Sequence, residues 1–379
     1  MNQSTKLYFP NLNGLRFIAA FLVIIHHLEQ LLSAFGLKNY WDNPVIESIG
    51  GLGVELFFVL SGFLISYLLY TEEQRTSTIS IKNFYIRRVL RIWPLYYLIG
   101  FLAFFLLPNI SMFNIPVWGD QLSANFDLSL LLYILFLPNL LLAGYGIVVP
   151  YASQSWSVGV EEQFYLIWPI IMKFFKHKLV ALLLVIFGYL FFQFLGFRII
   201  KHYITWSSEL DLIRAFWGSF HIQCMAIGGI YAYLFYKKHR ILKFILHPVT
   251  FIFITFLTII MILFSLHVPY ISRELFALLF GLIIVNLASD KQKGLFLENR
   301  LFNYLGKISY GLYMFHVIAI VISINIFQYY NMLHSHFLLL ITSILITISI
   351  SSVSYYLIEK RFISLKARYS KVISGDNAK

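Results

Sequence analysis

Cysteine is nearly missing from this chain. Cys224 is the single one, so neither an intrachain disulfide nor a thiolate zinc site can form. Charge is also scarce: Asp, Glu, Lys and Arg make up 12% of the 379 residues against 59% hydrophobic. A soluble domain carries roughly twice that charged share. No stretch is long and polar enough for a separate soluble domain, and there is no internal repeat or low-complexity segment. HExxH, GxSxG, Walker and dinucleotide fingerprints are absent too, and no metal site is implied. What is left is an all-α polytopic membrane bundle, a single integral-membrane domain over 1–379.

The scarcer sign of charge is negative: 17 acidic residues against 29 basic ones give a net charge of +12. In a soluble protein that excess would point to nucleic acid. In a membrane protein it reads as cationic loops holding the cytoplasmic side, so no nucleic-acid partner is expected. Apolar runs lie near 14–35, 51–70, 92–107, 128–147, 158–175, 179–197, 215–236, 249–267, 274–289, 308–329 and 336–358. The first is longer than a signal-peptide core and carries polar groups, so it reads as a retained span. Basic clusters fall at 75–91, 173–178, 237–243, 291–307 and 360–371. They share one face only if one run does not cross. Gly144, Gly146 and Pro150 make 128–147 the poorest helix, and it is assigned as re-entrant or interfacial. The expectation is about ten transmembrane helices with both termini cytoplasmic, a bundle over 8–358 and a basic cytoplasmic tail over 359–379.

Within the first span, LNGLRFIAAFLVIIHHL, Arg16 and His27 stand eleven residues apart. At ~100° and 1.5 Å per residue they share a face, separated by about 16 Å along the axis. Ionisable groups inside a span are costly and face a cavity or a partner by default. His27 titrates near neutrality and suits a general base on a hydroxyl, whereas His26 is turned about 100° away and reads as structural. In SWSVGVEEQFYLIWP, Glu161, Tyr165 and Trp168 share a face at i, i+4 and i+7. In GVELFFVLSGFLI, Glu55 and Gly62 share one, and Ser61-Gly62 admits a close backbone or a ligand chain. In FYIRRVLRIWPLYY, Arg87, Arg88 and Arg91 can grip a polyphosphate or anchor anionic lipid, and Pro94 fits the first turn of the next span. In SYGLYMFH, Ser309, Tyr313 and His316 form a hydroxyl stripe ending in a histidine. On the argued topology, arginine gathers at the inner face, and histidine and glutamate sit at mid-depth and beyond.

Together these blocks resemble the acyltransferase-3 family of integral-membrane O-acyltransferases. The R-x10-H spacing appears as Arg16–His27, followed in family order by GVELFFVLSGFLI, RRVLRIWPLYY, SWSVGVEEQFY and SYGLYMFH, over residues 12 to 316. Asn13 departs from the Asp of many members and Phe17 from their Gly. The resemblance implies a multi-pass enzyme of the bacterial cytoplasmic membrane. Acyl-CoA, most often acetyl-CoA, would be the donor and a cell-envelope carbohydrate hydroxyl the acceptor. The chain ends soon after its last span. The expectation is therefore that it lacks the SGNH domain of some members and modifies a lipid-linked glycan such as O-antigen or exopolysaccharide. On this reading His27, Glu161 and His316 are catalytic, while Arg16, Arg87, Arg88 and Arg91 hold the CoA phosphates. Glu55, Ser61, Tyr165, Ser309 and Tyr313 line the substrate path, and a pantetheine arm of roughly 15–20 Å covers the rise from Arg16 to His27. The alternative is a transporter or flippase for a glycan or small solute, which would share the charged interior but lacks repeated halves or paired broken helices.

Overall fold

Helix α1 (Leu12–Ala34) starts where Asn11 adopts a left-handed conformation, φ 65°, and donates its side-chain amide to the Leu287 carbonyl at 3.0 Å. Helix α2 (Pro44–Thr76) is set up by Asn43, whose side chain accepts from the Val45 N–H, and by Pro44, already fixed at a helical φ. The chain continues with α3 (Ile81–Phe101), α4 (Trp118–Ala124), α5 (Phe126–Ile134), α6 (Pro138–Tyr145), α7 (Trp156–Phe174) and α8 (Lys178–Phe191). Then follow α9 (Phe197–Tyr203), α10 (Ser208–Ser219), α11 (Ile222–Tyr236), α12 (Leu242–Ile245) and α13 (Pro248–Leu263). Last come α14 (Ser272–Ser289), α15 (Arg300–Lys307), α16 (Ser309–Tyr329), α17 (His336–Ser354) and α18 (Lys360–Lys366). The structure, a computed structural model, describes residues 5–116, 118–204, 207–289, 297–333, 335–370 and 372–374. Lys291 and Lys293 of the basic cluster, both chain ends and Lys371 of the tail lie outside the described residues.

Among the described residues, seven helical stretches are long and apolar enough to cross a membrane: α1, α2, α3 extended to Asn109, α8 to α9, α14, α16, and α17 extended to Tyr369. The chain is a multi-pass membrane protein. The other apolar runs fall short of that length and apolarity for local reasons. Helix α7 carries Glu161, Glu162 and Lys173. Helices α11 and α13 have 15 and 16 residues, about 24 Å at most. The run expected at 215–236 breaks at His221, which sits at φ 45°. The run at 128–147 divides into α5 and α6, of nine and eight residues, and neither reaches across a hydrocarbon core of about 30 Å.

Two further expectations are corrected. Pro94 is not in a first turn but in the interior of α3, because α2 continues to Thr76 and Ser80 caps α3 through the Asn83 N–H. The arginines at 87, 88 and 91 therefore stand on the same helix as Pro94. The stretch from 359 is not a free tail either. A π-turn at Tyr355–Glu359 leads into α18, which packs on α3, and Val372–Ser374 pairs in parallel with Thr5–Leu7. That ladder of three residues per strand is a small exception to the all-α expectation.

Helices α16 and α2 are the most enclosed spans, 78% and 72% buried over their apolar windows, and so form the centre of the bundle. Helices α2 and α11 cross closely at paired glycines. A Cβ on Gly62 would collide with the Met225 carbonyl, and one on Gly228 with the Val59 carbonyl.

Candidate active site

Six helices leave a cavity of about 160 Å³ between them. Arg16 enters it from α1, Phe57 and Ser61 from α2, and Arg88 and Arg91 from α3. Glu161 and Tyr165 enter from α7, Ser309 and Tyr313 from α16, and Lys366 from α18. The structure thus brings together, from five separate sequence blocks, most of the residues singled out above.

Two of the cations contact neutral groups. Arg88 lies between aromatic rings, 5.6 Å from the Phe84 centroid and 5.5 Å from that of Tyr165. Its Nε is buried and has no hydrogen-bond partner among the described residues. Arg16 donates from Nη1 to Asn13 Oδ1 at 3.0 Å, so the amide that replaces the usual Asp still positions this arginine, through a neutral group. Arg87 departs from its expected role. Its guanidinium turns away to Glu72 Oε2 at 2.9 Å and to the Tyr369 carbonyl at 2.9 Å, and it does not line the main cavity.

Beside them the Ser61 hydroxyl donates to Glu161 Oε1, one turn from Tyr165 on the same helix face. Trp168, expected on that face, is fully buried and donates Nε1 to Ser66 Oγ at 2.9 Å. The Tyr313 hydroxyl is held by the Gln154 carbonyl at 2.8 Å and by Ser157 Oγ at 2.7 Å.

Beyond Tyr313 lies the histidine pair. His316 Nε2 is 3.1 Å from His27 Nδ1. His316 Nδ1 is 2.6 Å from the Tyr313 carbonyl and His27 Nδ1 is 3.0 Å from the Val23 carbonyl. Carbonyls only accept, so both Nδ1 atoms carry the proton, His316 Nε2 accepts from His27, and the His27 Nε2 lone pair is left available. His26 is occupied separately, donating Nδ1 to the Ile46 carbonyl at 2.9 Å with its ring against Trp41.

The pair is not part of the cavity wall. One layer of rings intervenes: Tyr313 lies 5.9 Å from His316 on one side and 5.9 Å from Phe57 on the other. Glu161 is bonded to Ser61 in the cavity, while His27 bonds the Val23 carbonyl and His316. Glu55 faces neither, because its stretch of α2 turns it towards Arg273, Nε to Oε1 3.9 Å, on the far side from the cavity.

The reading of motifs missed Lys366, Tyr310 and Phe57. Lys366 looked like one more charge in a basic tail, and only the fold-back of α18 brings it to the cavity. Tyr310 lies inside a recognised block, and its hydroxyl donates to the Ile92 carbonyl at 3.0 Å, tying α16 to α3. Phe57 carried no polar signal at all. Among the described residues there is no group of three or more His, Cys, Asp or Glu able to hold a metal ion.

Residues 9–356 match the acyltransferase domain of the acyltransferase-3 family. The chain belongs to that family. This acyltransferase-3 chain is 30% identical over 373 residues to "O-acetyltransferase OatA" of Staphylococcus aureus, an alignment covering 93% of the chain and 57% of that relative. It is 26% identical over 370 residues to "Putative peptidoglycan O-acetyltransferase YrhL" of Bacillus subtilis, covering 93% and 54%. It is 30% identical over 190 residues to "Peptidoglycan O-acetyltransferase OatA" of Listeria monocytogenes, covering 48% and 28%. The chain thus spans about half the length, or less, of the curated relatives it matches. No solved structure matches it significantly.

Proposed function

We propose that this protein is a membrane O-acyltransferase that moves an acetyl group from cytoplasmic acetyl-CoA to a carbohydrate hydroxyl of the bacterial cell envelope. The observation that carries the reading is one cavity with clustered cations at one end and, one ring layer past its other end, a histidine with a free ring nitrogen. Family membership supports the same chemistry, as do the names of the relatives, two of which specify peptidoglycan.

Arg88 and Arg91, with Arg16 deeper, hold the CoA phosphates at the cytoplasmic mouth. A cavity of about 160 Å³ is smaller than the roughly 300–1,000 Å³ that encloses a whole drug-sized ligand. It therefore takes the acyl-pantetheine arm and leaves the nucleotide at the mouth. Rotation of the Phe57 and Tyr313 rings lets the thioester meet His27. The His27 Nε2 removes the hydroxyl proton of the sugar as its oxygen attacks the thioester carbonyl. The C–S bond breaks and the CoA thiolate leaves, taking up a proton. His316 orients His27, and the Tyr313 hydroxyl, on release from the Gln154 carbonyl that now accepts from it, donates to the oxyanion.

The test uses purified full-length protein in nanodiscs with acetyl-CoA. Release of free CoA that depends on an added peptidoglycan fragment or lipid-linked glycan is the expected result. Movement of the glycan across a vesicle membrane without any consumption of acetyl-CoA would replace this reading with the transporter one.

A further inference from the structure

We propose that Lys366, carried back from the C-terminal helix, is a phosphate-binding residue of the donor site, a reading that rests on the acyl-CoA assignment above. Lys366 lies outside the matched family segment, which ends at residue 356. It lines both the main cavity and a smaller neighbouring one formed with Glu72, Arg87, Arg88 and Ser370, and so stands at the junction between them.

Its position is built, not incidental. Helix α18 packs on α3, the Tyr369 carbonyl accepts from Arg87 at 2.9 Å, and the strand that follows is laddered to the N-terminal strand. Those three ties hold the side chain where a loose tail would not.

The charges around it are unbalanced. Lys366 shares the main cavity with Arg16, Arg88 and Arg91 and the smaller one with Arg87 and Arg88. Among the described residues, four cations line the main cavity against a single carboxylate, Glu161, which is engaged by Ser61. Of the other nearby carboxylates, Glu72 pairs with Arg87, while Glu162, bonded by the Trp93 indole N–H at 3.2 Å, and Glu359, bonded by Ser354, act on Arg88 and Arg91 from beyond ion-pair distance. Among the described residues no carboxylate oxygen lies within 4.0 Å of Arg88, Arg91 or Lys366. Arg88, Arg91 and Lys366 are thus gathered with no carboxylate in ion-pair contact among the described residues, and a ligand carrying several negative charges relieves their mutual repulsion on binding. Phosphate oxygens supply that chemistry. Two sources offer them, the phosphates of CoA and an anionic lipid headgroup, and the junction of the two cavities over the acyl path favours CoA.

The experiment measures CoA and pantetheine affinity by calorimetry on the full chain in neutral-lipid nanodiscs. It compares wild type with Lys366→Met, Lys366→Arg and, as a control on the same helix, Lys360→Met, whose ammonium lies over Tyr356. Lys366→Met is expected to weaken CoA about tenfold or more while pantetheine, which lacks the phosphates, is unaffected. Lys366→Arg should retain most of the affinity, and Lys360→Met all of it. Wild-type affinity in Lys366→Met refutes the role of Lys366 and leaves the acyl-CoA reading standing. Failure of wild type to bind CoA at all overturns both. Adding anionic phosphatidylglycerol supplies the remaining arm: binding of that lipid lost in Lys366→Met, with CoA affinity intact, assigns Lys366 to the headgroup and overturns the donor role.

Discussion

His316 Nε2 faces His27 Nδ1 at 3.1 Å, and the carbonyl partners of the two rings decide which one donates. The Tyr313 carbonyl holds the proton on His316 Nδ1, so His316 can only accept, and His27 presents Nε2 as its free base. This is the logic of a base steadied by a second group, with an imidazole in place of the more usual carboxylate. His27→Ala should abolish acetyl transfer in membranes without changing protein abundance. His316→Ala should lower kcat about ten- to a hundredfold at nearly constant KM, and His316→Gln, which keeps an acceptor near the same place, should recover part of the loss. Near-normal turnover by His27→Ala would remove it from the mechanism.

The three arginines of α3 separate into two roles. Arg87 and Glu72 form a buried ion pair at 2.9 Å, with side chains 9% and 4% exposed. Removing one partner strands a buried charge, which typically costs about 3–5 kcal/mol. Arg87→Met should therefore lower the unfolding temperature in detergent, and adding Glu72→Leu should restore much of it. Arg88→Ala with Arg91→Ala should leave that temperature nearly unchanged and raise the KM for acetyl-CoA at least tenfold. If instead Arg87→Met alone raises KM with no loss of stability, the division is wrong.

These contrasts show what the sequence carried and what it did not. Helical periodicity placed Arg16 and His27 on one face, and it grouped Glu161 with Tyr165 and Tyr313 with His316, because each pairing is local to one helix. Arg87 and Arg88 are adjacent in sequence, and no periodicity shows that Glu72 waits for one and an aromatic slot for the other. The His27–His316 contact joins residues 289 apart and needs the packing of α1 on α16. Lys366 was hidden for the same reason, since composition describes a basic tail whether it is free or folded back. Helix lengths were hidden too: an apolar run and a membrane-length helix look alike until a residue such as His221 breaks one.

Gly62 marks the closest approach of α2 to α11, where a Cβ would meet the Met225 backbone. Backbone cannot swing aside as a side chain can, so overpacking here moves whole helices, and Ser61 with them. Gly62→Val should destabilise the protein by about 1–3 kcal/mol and reduce the yield of folded, monodisperse material. Gly51, on the same helix, has open space where a Cβ would stand, with nothing within 4 Å, so Gly51→Ala should be neutral or slightly stabilising through helix propensity. Thermal unfolding of both variants in the same detergent checks the pair, and equal effects would refute the close-packing argument.

Ser61 donates its proton to Glu161 inside the cavity, an arrangement that fits two different chemistries. As an acyl carrier, Ser61 would lose that proton to Glu161 and take the acetyl group before the sugar arrives. As a positioning group, it simply fixes the carboxylate against Tyr165 while His27 activates the sugar directly. Direct transfer is the simpler step, because the free base nitrogen belongs to His27 and Ser61 stands on the cation side of the Tyr313 layer. Ser61→Ala should then keep activity within about a hundredfold of wild type, the scale of one lost hydrogen bond to a charged group. Wild type mixed with labelled acetyl-CoA in the absence of acceptor should yield no labelled peptide containing Ser61. A loss in Ser61→Ala as deep as in His27→Ala, together with label on that peptide, would establish the covalent route and confine His27 to the second half of the reaction.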